Sequence, residues 1–104
     1  MDFASWSRLS ERERKAMCQQ LNPYENWALF KAVESEFKRQ YGSIEAVEKV
    51  FCGIGGCLGP LNALCVTIRK GAPRASLPKD FLGFPVLRRY RSRERKPIGG
   101  ASLA

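Results

Sequence analysis

The chain has 104 residues, enough for one small domain with a tail and too few for two. A 44% apolar share with six Phe, three Tyr and two Trp excludes disorder throughout, while a net charge of +8 is large for this length. There is no histidine, which excludes Ser-His and Cys-His nucleophilic catalysis.

The charge is unevenly placed. Residues 1–67 hold eight Lys or Arg against eight Asp or Glu, and residues 68–104 hold ten against two. The whole excess therefore lies in the last third. A neutral body with a cationic arm points to a polyanionic partner, nucleic acid first and an anionic membrane surface second. The opening MDFASWSRLSERERK lacks the apolar core of a secretory leader, and the four cysteines lack the spacing of a disulfide scaffold. An intracellular compartment, nuclear or cytoplasmic, with reduced thiols is expected.

In chain order, Ser10 with Glu13 forms a capping box, opening a helix whose Met17, Cys18 and Leu21 share one face. Phe3, Trp6 and Leu9 are expected to pack over its start. Asn22-Pro23-Tyr24-Glu25 then offers an N-cap, a proline at the first helical position and an acid in the first turn. Trp27, Phe30, Val33, Phe37 and Tyr41 recur near the helical period, Glu34 and Lys38 pair at i,i+4, and Gly42 supplies a left-handed cap. These signals predict a helix over 23–41.

Ser43 restarts a helix with Ile44, Val47, Val50, Phe51 and Ile54 on its apolar face, until Gly53, Gly55, Gly56, Gly59 and Pro60 break it. Pro60 opens a further helix in which Leu61, Leu64, Cys65 and Ile68 fall at i, i+3, i+4 and i+7, with Gly71 as its stop. A β-strand over 63–68 competes, because β-branched residues occur there too. The nineteen residues 50–68 carry no charge, which is about enough to cross a bilayer as a helix. Lys49, Arg69 and Lys70 flank them, and Gly55 and Gly59 have the spacing of close helix contacts in lipid. Glycines and a proline at the centre, with Asn62 beyond, argue instead for two core helices joined by a Gly-rich turn.

Residues 72–78 have linker composition. The apolar patch Phe81–Leu87, interrupted by Gly83 and Pro85, either folds back over the body or docks a protein partner. Then comes Arg88-Arg89-Tyr90-Arg91-Ser92-Arg93-Glu94-Arg95-Lys96, in which six of nine residues are cationic and five of those are arginine. Guanidinium groups pair bidentately with phosphate, and Tyr90 offers a ring on which an unpaired base can stack.

Other chemistry finds no support. Cys52, Cys57 and Cys65 do not have the paired short spacings of a zinc site, so no metal is expected. The glycines around 53–59 are not followed by the Lys-Ser/Thr of a phosphate loop, and no cofactor is expected. The expected fold is all-α: a helical domain of three or four helices over 8–71, with an extended, partly disordered basic arm over 72–104.

The expected function is that of a small non-enzymatic accessory protein binding RNA or single-stranded nucleic acid. Arg88, Arg89, Arg91, Arg93, Arg95 and Lys96 would contact phosphates, and Tyr90 would stack. The helical body would supply self-association as a homo-oligomer or a partner surface. Two alternatives are a membrane-associated protein inserting residues 50–68 and a protein–protein adaptor using the helical body.

Overall fold

Among the described residues three helices precede four strands: α1 (Phe3–Arg8), α2 (Glu11–Cys18), α3 (Trp27–Tyr41), then β1 (Val47–Gly55), β2 (Leu61–Ile68), β3 (Asp80–Phe81) and β4 (Phe84–Tyr90). The computed structural model describes residues 1–56, 59–72 and 76–90. The fold is α+β, and this overturns the all-α expectation. Val50–Ile68, read above as two core helices, instead supplies most of β1 and all of β2, which pair antiparallel. The reason lies in the run itself. Leu61, Leu64, Cys65 and Ile68 fit the helical period, but Asn62, Leu64, Val66 and Ile68 fit period two equally well. Glycines at 53 and 55 weaken a helix, and Val66, Thr67 and Ile68 pack better on a pleated surface. No helix among the described residues is long and apolar enough to cross a membrane.

The sheet order is β1-β2-β4-β3. β1 runs antiparallel to β2 with Cys52 opposite Leu64, β2 runs parallel to β4 with Leu64 opposite Val86, and β3 and β4 close an antiparallel hairpin with Phe81 opposite Phe84. Residues 84–90, assigned from sequence to an extended arm, thus form a strand lying between two others. In β1 the register slips between Val47 and Lys49, a bulge that lets Val47 and Val50, three apart, both face the core.

One face of the sheet is covered by the helices. Val50 and Cys52 from β1, Leu64 and Val66 from β2 and Phe84 from β4 meet Trp6, Leu29, Phe30, Val33 and Phe37 in a single cluster. Phe84 has no exposed surface and lies 5.1 Å from the Phe30 ring, edge-on, and 5.9 Å from that of Trp6. At the far edge Phe81 meets both Phe37 and Tyr41. Of the Phe81–Leu87 patch, Phe81, Leu82, Phe84 and Val86 therefore fold back onto the core.

Polar side chains tie the helices to the sheet where backbone groups would otherwise go unpaired. The capping box at Ser10 and Glu13 is present as the sequence predicts. Arg14 donates to the carbonyls of Trp6, Ser7 and Leu9 at the C-terminal end of α1, which needs both acceptor partners and positive charge. Asn62 is 7% exposed; its amide donates to the Cys18 and Leu21 carbonyls at 2.9 and 2.8 Å, and its backbone exchanges two bonds with the Gln19 side chain. On the edge strand β1, the Cys52 N–H points away from β2 and donates to the Glu34 carboxylate at 3.0 Å, so α3 blunts that edge.

Two helix ends differ from expectation. α3 begins at Trp27, because Asn22 closes its own turn by accepting from the N–H groups of Tyr24 and Glu25. Gly42 keeps right-handed backbone angles (φ −66°), with its N–H donating to Lys38 O. The left-handed cap predicted there is absent.

Candidate nucleic-acid interface

From Lys49 onward the second face of the sheet carries the odd-numbered residues, and among the described residues no helix packs on it. The register aligns them in rows: Lys49, Thr67 and Arg89 across one end; Phe51, Cys65 and Leu87 next; then Gly53 and Ala63. Side-chain contacts place these residues on one face. A Cβ placed on Gly55 would meet Cys65 Sγ at 2.5 Å and Leu87 Cδ1 at 3.7 Å, and one on Gly53 would meet the tip of the Phe51 ring at 2.5 Å. The ring of Phe51 thus lies over Gly53, still 45% exposed.

The predicted segment divides at Tyr90. Arg88, Arg89 and Tyr90 form the exposed end of β4. Arg91, Arg93, Arg95 and Lys96, predicted to contact phosphate, lie outside the described residues. Arg88 donates to the Leu77 carbonyl at 3.0 Å, which holds its stem against the segment entering β3. Neither Arg88 nor Arg89 forms an ion pair among the described residues, so both charges remain available to an anion.

Between that segment and β4 runs an open groove of about 780 Å³. It exists because β3 is only two residues long: Val86 N–H still bonds Lys79 O, but beyond it no described strand lies along that edge of β4. Lys79, Arg88 and Arg89 rim the groove, Tyr90 stands at its end, and Cys65 and Leu87 carry it onto the open face. Three cations around an apolar floor suit a ligand with both phosphates and flat apolar groups. Burial pushes the Cys65 thiol up from its ordinary value, and the neighbouring Arg89 pulls the other way.

A cation–π contact lies at the β1 edge, made by Lys31, which also pairs with Glu34. The Lys31 ammonium is 4.6 Å from the Trp27 ring and 5.5 Å from that of Phe51. Reading residues 44–54 as a helix missed this contact and the open face. A signal was present: Lys49, Phe51, Gly53 and Gly55 alternate with Val50 and Cys52, and period two would have placed Lys49 and Phe51 together on the uncovered side. Lys79 carried no such signal, since its place on the groove depends on the β3–β4 pairing.

The fold and surface define a small α+β protein with a mixed sheet, one face of it open and rimmed by cations. No family model matches the chain, and no curated protein or solved structure is similar to it. Function is therefore argued from the surface itself.

Proposed function

We propose that this chain is a non-enzymatic accessory protein that binds nucleic acid, with RNA or another single strand as its ligand, through the arginine-rich segment 88–96. One observation carries the reading: the arginine-rich segment opens on the last residues of β4, with Arg88, Arg89 and Tyr90 exposed beside a groove that Lys79 also rims. Arginine forks engage phosphate and a tyrosine ring accepts an unpaired base, whereas a duplex would demand a reading helix in its groove. The described helices instead spend their apolar faces on the sheet. Free thiols at Cys18, Cys52 and Cys65 fit an intracellular site of action, nuclear or cytoplasmic.

The test is a salt titration of the full chain on a fluorescent oligouridine, read by anisotropy. The segment holds six cations, and with all of them engaged log affinity should fall against log salt with a slope of about −4. Absence of binding, or binding indifferent to salt, overturns the assignment.

A further inference from the structure

The arginine-rich segment is a linear feature, yet the sheet places a second, two-dimensional surface next to it. From the Lys49–Thr67–Arg89 row to the Phe51–Cys65–Leu87 row, the open face presents two cations at one end and an exposed aromatic ring one step inward. Gly53 and Ala63 keep the next row low, so the Phe51 ring lies across the sheet instead of standing among bulky neighbours. Arg89 belongs to both surfaces: it rims the groove and closes the cationic row.

We propose that this open sheet face is a base-stacking platform for single-stranded nucleic acid. One unpaired base lies on Phe51, with the flanking phosphates on Lys49 and Arg89. The proposal rests on the nucleic-acid reading above and adds to it a site that the basic segment does not contain. Charge complementarity selects this occupant. A purely apolar protein partner would leave Lys49 and Arg89 facing it without counter-charges, and Phe51, the aromatic of the face among the described residues, sits beside the Lys31 ammonium. A strand that alternates phosphate and base satisfies both kinds of group at the spacing of adjacent rows. Its path continues from the platform past Arg89 into the groove, where Tyr90 meets the next exposed base. The sheet thus sets the polarity and register of a ligand that the arginines alone would hold without order.

The deciding variant is Phe51→Leu, which keeps an apolar cover over Gly53 and removes the π-face. It should unfold at the same temperature as the parent, bind oligouridine about tenfold more weakly, and leave the salt slope unchanged, since no cation is lost. Lys49→Gln should act in the complementary way, reducing the magnitude of the slope by about 0.7. Irradiation of the parent complex followed by peptide mass spectrometry should yield a uridine adduct on Phe51.

If the full chain binds oligouridine while Phe51→Leu binds equally well and no adduct forms on Phe51, the platform is wrong and the basic segment alone carries binding. If the full chain binds no oligouridine at any salt, both readings fall. If Phe51→Leu weakens binding only to phosphatidylserine vesicles, the face is a membrane contact and the platform is again overturned. A Phe51→Leu chain that melts early is replaced by Phe51→Met, with the adduct map as the independent readout.

Discussion

Glu34 shows how one side chain can serve an edge strand and a helix together. It is 8% exposed, and burial by itself would raise its carboxyl. The Cys52 N–H, Lys38 and Lys31 bond to it more strongly than burial opposes, so it titrates below the ordinary glutamate value. The sign follows. A carboxyl depressed in the folded state contributes stability that is complete above the unfolded value of about 4.3 and is lost as pH falls through the folded one. Glu34→Gln should therefore lower the urea midpoint at neutral pH, with the gap to the parent closing below about pH 4. Urea titrations at a series of pH values check this, and parallel pH curves would show that the carboxylate holds nothing. Glu36 is depressed too, by its bonds from Arg39 and Gln40, but it is present in both chains and cancels from the difference. Asn62 has the same kind of role in neutral form. The sequence marked it as an oddity inside an apolar run, without the two carbonyls at the end of α2 that explain it.

At the scale of elements the β3–β4 turn sets the sheet against the helices. Leu82 (φ 51°) and Gly83 (φ 88°) both take positive φ, the two-residue turn whose twist matches the flanking strands. The Leu82 carbonyl accepts from Trp6 Nε1 at 2.8 Å, and a Cβ on Gly83 would meet the Arg14 backbone carbon at 2.9 Å. Gly83→Ala therefore strains its own backbone and pushes against α2 at once. The expected cost is about 2 kcal/mol or more, a fall in Tm of roughly 10 °C for a chain of this size. Thermal unfolding followed by circular dichroism measures it, and an unshifted Tm would mean that the turn is not held against α2. This turn also marks where the sequence stopped being legible. The capping box and the stripe from Trp27 to Tyr41 are local signals, and both helices stand where those signals put them, apart from the start of α3. β1 and β2 were misread because their apolar residues satisfy two periods, and only the pairing of distant segments chooses between them. β4 was missed for a related reason. A run interrupted by Gly83 and Pro85 reads as an apolar patch without a strand's period until Phe84 is seen buried against Trp6 and Phe30. Of the interface, Arg88, Arg89 and Tyr90 were readable from composition, whereas Lys49, Phe51 and Lys79 needed the sheet.

At the scale of the molecule, the boundary between folded body and cationic segment falls at a different place from where composition suggests. The charge asymmetry begins at residue 68, but the last described strand runs to Tyr90, flanked by β2 on one side and β3 on the other. The first arginines of the basic segment are thus anchored in the sheet, so affinity and stability separate only if the chain is cut beyond them. A chain ending at Tyr90 keeps every described element and should unfold in urea with the midpoint of the full chain. It loses Arg91, Arg93, Arg95 and Lys96, so its slope on oligouridine should shrink in magnitude by about 3. What binding remains should still depend on Phe51. A chain ending at Phe84 loses the strand that joins β2 to β3 and leaves the β2 edge bare; it should show no cooperative transition. Hydrogen exchange on the two truncations separates the outcomes: protection in β2 should survive the first cut and vanish with the second. Were protection to survive both, β4 would not be an integral strand. Were the Tyr90-terminated chain to bind with the full slope, the cations beyond it would not be the ones that hold the ligand.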